Sequence, residues 1–218
     1  SILAFGLLVC VTENVLAQKS ITADDTPVVD DFQDFRGQGL SPTPNNDQLN
    51  SDAFAVFGMS DGDSDFGDTS TSGDFARGED EGGVVTGGLY AFDVGSGNYT
   101  LGLQPGGSDV TPGAIYVCYQ NNTGSEITEG FNVEYDLWVY NDQTRGQSVE
   151  LKYNIGPTCP TDGNEAQSFN EAGLSFEIDE AEQSPVQWEQ NEQGAFIAGS
   201  LPDGDFITLA IVTNDATG

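Results

Sequence analysis

The sequence predicts an all-β protein, an antiparallel β-sandwich or jelly roll, on three observations. Several short segments alternate apolar and polar residues with the period of two that a half-buried strand requires. Turn-forming residues separate those segments, in a chain that contains 28 Gly and 9 Pro. No segment combines a helical period of apolar residues with capping residues at its ends. Many short strands divided by Gly-rich turns are typical of a sandwich.

The clearest strand signal is the segment 131–140, FNVEYDLWVY. Its odd-numbered residues are apolar and predict the core face, so Trp138 and Tyr140 fall on the opposite face. Residues 149–153 alternate in the same way after the turn-forming segment 141–146, which predicts a hairpin of the two strands. Further strands are predicted at residues 53–59, 84–94, 99–103, 114–120, 174–178, 195–198 and 206–213.

The chain has 218 residues, a length that suits either one large all-β domain or one domain with an extra N-terminal arm. Residues 2–11 form an apolar run of the length of a signal-peptide core, too short to cross a bilayer as a helix. The segment 15–17, VLA, matches a signal-peptidase site. We therefore expect a signal-peptide-like segment or a retained donor strand at 1–17, a polar arm at 18–27 and the β-sandwich domain at 28–218.

The charge balance is strongly acidic, with 36 Asp and Glu against 5 Lys and Arg and a formal net charge of -31. Nucleic acids and anionic membranes are excluded as partners, because binding them requires clustered Lys and Arg. Such a surface repels itself, and salt or bound divalent cations relieve the repulsion. Together with the signal-like segment, the charge predicts a secreted protein of the extracellular space or cell surface, with no transmembrane segment.

Two cysteines remain once the signal-like segment, which contains Cys10, is set aside. An even pair of cysteines in a secreted chain favours one disulfide. We expect Cys118 and Cys159 to form it, tying a strand to the Pro-rich loop 156–160. A metal site would need more ligands, and the chain has no His.

The densest run of carboxylates comprises Asp61, Asp63, Asp65 and Asp68, on a loop that also contains Gly. Alternate Asp side chains can converge their oxygens on Ca²⁺, which accepts about six to eight hard ligands. The spacing departs from that of an EF-hand loop, because Phe66 stands where the loop requires Gly. Two interpretations stay open, a Ca²⁺ site and an acidic loop exposed to solvent.

Trp138 and Tyr140 form a second candidate site, on the face of their strand that points away from the core. Exposed aromatic side chains can offer an apolar platform to sugar rings. The alternative is that a loop, a second sheet or a neighbouring subunit covers them.

Residues 58–62, GMSDG, fit the G-x-S-x-G pattern of a nucleophile elbow. An elbow needs a helix after the turn and a His base, but no helix is predicted there and the chain has no His. Paired carboxylates can hydrolyse glycosides, yet among 36 acidic residues suitable pairs arise by chance. We therefore expect that the protein is not an enzyme.

A resemblance lies in the middle of the chain, on the segments LGLQPGGSDVTPG (101–113), QNNTGS (120–125), EYDL (134–137) and YNDQ (140–143). Together they resemble a group of secreted bacterial β-sandwich modules of surface-anchored or exported multidomain proteins. The resemblance covers residues 87–153 and implies the sandwich fold, but it carries little information about function. Similar modules end with one more strand, which implies that this domain lacks its last strand.

A sheet that lacks a strand leaves an open edge, which is a liability unless something covers it. The apolar N-terminal segment can provide that strand to a neighbouring subunit by β-strand addition, and head-to-tail insertion of this kind generates fibres. The donor residues would be Ile2, Leu3, Phe5, Leu7, Val9 and Val11. An uncleaved signal on a partial sequence is the competing explanation.

The sequence thus favours a non-catalytic extracellular module with a structural or adhesive role, including a pilus-like fibre subunit assembled by strand donation. Its partners would be copies of itself in a fibre or surface glycans, and Ca²⁺ is the one cofactor that the acidic loop suggests. The alternative is a carbohydrate-binding accessory domain of a larger secreted hydrolase, which would use Trp138 and Tyr140.

Overall fold

The protein is all-β in the computed structural model, which describes residues 2–7 and 19–215. The strands are β1 (Ile2–Leu7), β2 (Lys19–Ile21), β3 (Leu40–Ser41), β4 (Leu49–Asn50), β5 (Phe54–Met59), β6 (Gly62–Ser64), β7 (Glu79–Asp80), β8 (Gly88–Asp93), β9 (Tyr99–Gln104), β10 (Gly113–Asn121), β11 (Phe131–Tyr140), β12 (Gln147–Gly156), β13 (Asn170–Ile178), β14 (Glu189–Ile197) and β15 (Phe206–Asp215). Two short 3₁₀ helices span Gly73–Phe75 and Gly163–Ser168. None of the helices in the described ranges could span a bilayer.

Two mainly antiparallel sheets form a β-sandwich. The first sheet has the strand order β14-β11-β1-β9-β8-β7, and the second has the order β13-β12-β15-β10-β5-β6. β2 joins the second sheet by pairing in parallel with the end of β10, and β3 and β4 form a separate small ladder. The predicted fold class is confirmed.

The core lies between the two sheets, as strand periodicity requires. In β11 every second residue from Val133 to Val139 is buried, whereas the residues between them are exposed or half-buried. Ile115 and Val117 on β10 and Leu151 on β12 meet this face from the second sheet. The alternation of buried and exposed residues along a strand therefore shows which of its faces packs against the other sheet.

The predicted hairpin of residues 131–140 and 149–153 is wrong, because β11 lies in the first sheet and β12 in the second. The segment between them crosses the edge of the sandwich. Asn141 is buried there and donates to the carbonyl oxygens of Asp179 (2.9 Å) and Ala181 (3.1 Å). Both strands alternate because each buries one face in the same core, so periodicity alone does not distinguish a hairpin from a crossing.

Strands lie at both ends of the predicted sandwich domain. The polar arm at 18–27 includes β2, whose backbone pairs with Tyr119, Gln120 and Asn121 of β10. At the other end, β15 is a central strand that pairs with both β10 and β12 along most of its length. The strand that completes the sandwich is β1, at an interior position of the first sheet rather than at an edge.

The predicted disulfide between Cys118 and Cys159 is confirmed, with a Cα–Cα distance of 6.1 Å. It attaches the loop after β12 to the central strand β10. The 3₁₀ helix that follows covers the outer face of the second sheet, where Tyr116 accepts a hydrogen bond from the Ala166 amide at 2.9 Å. Small residues beneath it, Ala114 among them, leave room for this close approach.

Candidate functional site

β1 lies between β9 and β11 and is antiparallel to both. Leu3 is paired with Val139 on one side and with Leu103 on the other. Two residues further along β1, the register continues with Leu137 and Leu101. A single short strand therefore completes two hydrogen-bonded ladders, and we call its position between β9 and β11 the strand slot.

The residues that border the strand slot belong to the core. Leu103 and Leu137 have no exposed surface, and Leu101 is 1% exposed. Residues directly opposite each other in an antiparallel pair lie on the same face of the sheet. β1 pairs with the backbone of these buried residues, so an empty slot would expose part of the core of the sandwich to solvent.

The order of the strands explains why the slot needs a segment from elsewhere in the chain. β9 forms a hairpin with β8 on one side of the slot, and β11 is paired with β14 on the other. The strand between them in sequence, β10, belongs to the opposite sheet. No sequence neighbour of β9 or β11 is thus available to fill the gap.

Four of the six predicted donor residues, Ile2, Leu3, Phe5 and Leu7, lie in β1. Val9 and Val11 lie outside the described residues. The structure inserts β1 into the chain's own sheet, whereas the prediction placed the segment in a neighbouring subunit. Insertion into the same chain and insertion into a neighbouring subunit would both use this strand slot. The prediction that the segment completes a sandwich is therefore compatible with both arrangements.

Trp138 and Tyr140 belong to an aromatic cluster on the outer face of the first sheet. The cluster comprises Val84, Tyr90, Phe92, Val94, Trp138, Tyr140 and Trp188. The ring of Trp188 lies 5.2 Å from that of Tyr140, and its Nε1 donates to the Glu81 carbonyl at 2.8 Å. Loops before β8 and β14 thus cover much of this face and leave Trp138 and Tyr140 half-buried.

The acidic loop does not bring its four predicted ligands together. Among the residues that the structure describes, no group of three His, Cys, Asp or Glu side chains is placed to hold a metal ion. Instead the carboxylates accept backbone N–H groups: Asp63 that of Gly58 at 2.9 Å, and Asp68 that of Asp65 at 3.1 Å. The Asp61 carboxylate likewise accepts a hydrogen bond from the N–H of residue 74. The turn β5–β6 and the loop after it are therefore shaped by these hydrogen bonds.

A carboxylate that the sequence analysis did not single out, Asp74, is the buried centre of a polar network that reaches the surface. It accepts hydrogen bonds from the Ser60 hydroxyl and the Asp61 amide, both at 2.8 Å, and forms an ion pair with Arg77. Asp109 accepts the Ser60 amide at 2.7 Å. Burial raises the pKa of Asp74, but these hydrogen bonds and the Arg77 charge outweigh it and hold the pKa below its ordinary value.

No sequence signal could have found this network, because its members come from three separate segments of the chain. Ser60 follows β5, Asp74 lies in the first 3₁₀ helix and Asp109 precedes β10. Their role is to join these segments at one end of the sandwich. Ser60, the serine of the GMSDG motif, is one of the joined residues.

No protein-family model matches this sequence, and no curated protein or solved structure is significantly similar to it. The β-sandwich is thus observed directly in the structure, whereas the resemblance to secreted bacterial modules depends on the sequence segments alone.

Proposed function

We propose that this protein is a non-catalytic extracellular structural subunit that assembles into fibres by strand donation. The observation that supports this proposal is the strand slot, in which β1 pairs with two neighbouring strands. A subunit with an empty slot would expose the unpaired backbone groups of both β9 and β11. Such edges bind a strand from another chain readily.

The donor can come from the same molecule or from a neighbour, since the strand slot would pair with the same backbone segment in either case. Residues 8–18 connect β1 to β2, and an extended chain of that length spans at most about 36–40 Å. When two molecules exchange an identical element, the element pairs with the same residues as before. Only the molecule from which it comes is different. When each subunit fills the slot of the next, the chain of insertions does not close and a fibre grows.

The net charge sets the conditions for assembly. Subunits with a formal net charge of -31 repel each other at low ionic strength, so we expect fibres to form as salt is raised. The backbone hydrogen bonds of β1 depend much less on salt. Salt therefore removes the barrier to association without weakening the strand that holds the subunits together.

A disulfide between β1 and β11 distinguishes donation from self-insertion. Gly6 and Asp136 are directly opposite in the register. Antiparallel partners have Cα atoms about 4.5–5.5 Å apart, within the range that a disulfide accepts. We would replace both residues by Cys in a Cys10→Ser background, assemble the protein at high salt, oxidise it and run non-reducing denaturing gels. Strand donation predicts a ladder of covalent multimers, and covalently closed single chains alone would contradict it.

The matched control combines Gly6→Cys with Glu134→Cys. Glu134 lies on the same face of β11 as Asp136 but two residues away, beyond the reach of a disulfide from position 6 in this register. It should yield no ladder. A ladder of equal strength in the control would mean that the multimers arise from random oxidation.

Electron microscopy of the protein as secreted, with its N-terminus mapped by mass spectrometry, tests the same proposal without substitutions. Filaments whose subunits retain residues before Gln18 are the expected result. Isolated particles that begin at Gln18 would contradict the fibre proposal.

The aromatic cluster supports a second candidate function, glycan binding by an accessory domain. Trp138 and Tyr140 are half-buried members of this cluster, so neither residue is fully covered. Stacking on a sugar ring needs an accessible aromatic surface. If glycans bind there, Trp138→Ala should abolish retention on a glycan array while Val85→Ala, at a position 72% exposed outside the rings, should not.

A further inference from the structure

Lys19, the first residue of β2, touches the carboxylate of Asp30 in the body of the domain. The side chain of Asp30 is 8% exposed and that of Lys19 is 25% exposed. The Lys19 ammonium lies 5.2 Å from the centre of the Phe54 ring, and the Tyr119 hydroxyl donates to the other oxygen of Asp30 at 3.2 Å. An amine, a carboxyl group and a hydroxyl donor thus meet in largely apolar surroundings.

These surroundings disfavour a separated pair of charges. Taking an ammonium and a carboxylate out of water is costly, and transfer of the proton to the carboxylate removes both charges at once. Burial lowers the pKa of Lys19 to about 8, although the charge of Asp31 opposes the shift. The neutral amine, which is the nucleophilic form, is therefore accessible at mild pH.

We propose that Lys19 and Asp30 are joined by an isopeptide bond between Nζ and the side-chain carbonyl carbon of Asp30. The lysine ammonium first gives a proton to the carboxylate. The amine then attacks the carbonyl carbon, the C–O bond to the protonated oxygen breaks, and one water molecule leaves with the second proton of the amine. No oxidant or reductant is required, and the Tyr119 hydroxyl donates to the oxygen that becomes the amide carbonyl.

The other lysine of the described chain provides a contrast. Lys152 forms ion pairs with Glu150 (3.4 Å) and Glu171 (3.0 Å), whose side chains are 44% and 65% exposed. Those carboxylates are largely exposed to solvent, so the site lacks the apolar surroundings that favour loss of water. Lys152 is therefore a matched internal control within the same molecule.

The position of the proposed bond gives it a mechanical role. β2 is held to the second sheet by a three-residue parallel ladder, and it is the first described element after residues 8–18. In a fibre held by β1, tension would enter each subunit at this short ladder. A covalent bond from Lys19 to Asp30 would transmit the load into the body of the domain, where Tyr119 holds the carbonyl. The bond can exist whether or not fibres form.

Tryptic mapping of the full-length protein tests the proposal, because trypsin does not cut after an acylated lysine. We expect a peptide that continues through Lys19 to Arg36, lighter than its sequence mass by one water molecule. Cleavage after Lys152 should be normal. Full cleavage after Lys19, with Ser20–Arg36 at its sequence mass, would overturn the proposal.

Two variants exclude other sources of the mass loss. Lys19→Arg keeps the positive charge but cannot form the amide, so the mass deficit should vanish and cleavage at residue 19 should return. A deficit that persists in Lys19→Arg would indicate a succinimide at an aspartate and would contradict the proposal. Tyr119→Phe should lower the cross-linked fraction while the domain remains folded by circular dichroism.

Discussion

Asp74 is a buried carboxylate, 3% exposed, whose partners favour its charged form. We expect Asp74→Asn to lower the free energy of unfolding at neutral pH by about 2–3 kcal/mol. Hydrogen bonds to a charged group are lost, and Arg77 loses its ion-pair partner. Asp47→Asn, at an exposed position, is the control and should change stability by less than about 0.5 kcal/mol. Denaturant titration of both variants checks this.

The stability that Asp74 contributes should depend on pH in one direction, falling as the pH is lowered. The folded state lowers the pKa of Asp74, so its carboxylate contributes stability above the unfolded-state pKa, near about 3.9. That contribution is lost as the pH falls through the still lower pKa of the folded state. The difference in free energy of unfolding between wild type and Asp74→Asn should therefore be constant from neutral pH to mild acid. It should disappear only in strong acid. A gap that closes already near neutral pH would show that Asp74 is not held ionised.

Asn121 satisfies its whole side-chain amide inside the protein. It has no exposed surface, it donates to the carbonyls of Ser125 and Leu201 at 2.8 Å, and it accepts from the Thr123 amide at 3.0 Å. Asn121→Ala should cost about 1–3 kcal/mol, because these buried groups lose their partner. Asn122→Ala, at the adjacent exposed position, should cost much less in the same thermal or denaturant unfolding experiment. If both substitutions lowered the stability by the same amount, the buried hydrogen bonds of Asn121 would not be the cause.

At the scale of the element, the disulfide is the one covalent constraint that the structure shows between β10 and the loop after β12. Cys118 and Cys159 are separated by 41 residues, and closing a loop of that length stabilises a fold by about 4 kcal/mol in the chain-entropy model. The double variant Cys118→Ala/Cys159→Ala should show this loss in denaturant titration. Reduced wild-type protein should show a similar loss, and an unchanged midpoint in both samples would contradict the prediction.

The strands themselves were predicted well where a local pattern specified them. The strand at residues 131–140 has the predicted bounds, and each of the other predicted strands overlaps an observed one. β2 was missed because KSI is too short to show a period, and it is a strand only through its pairing with β10. The pairing of β11 with β14 rather than β12 was missed because pairing is not a local property.

At the scale of the whole molecule, charge repulsion acts on the folded state. The Debye length falls from about 10 Å to about 3 Å between roughly 0.1 M and 1 M salt, which screens most pairs of surface carboxylates. We expect the thermal midpoint to rise over this range, by roughly 2–4 °C for each kcal/mol gained at this chain length. Differential scanning calorimetry in NaCl and KCl should give the same rise, and a salt-independent midpoint would contradict the prediction.

A single pair tests whether screening is the cause. Asp136 on β11 is directly opposite Glu192 on β14, and like charges so placed are destabilising. Glu192→Lys should stabilise the protein by about 0.2–1 kcal/mol at low salt, and the gain should shrink at high salt. Glu182→Lys makes the same change in charge at an exposed position outside the strands and should gain less.

By itself the sequence determined the fold class, most of the strands and the partner of Cys118, because alternation, turn residues and an even cysteine pair are visible in the chain. Only the tertiary structure decided that β1 fills an interior slot. It alone decided that Asp74 accepts a hydrogen bond from Ser60 and pairs with Arg77. It also decided that Lys19 meets Asp30. These contacts join segments far apart in sequence, or residues with no periodic pattern between them. Their energy comes from burial and pairing in three dimensions, which no local pattern records.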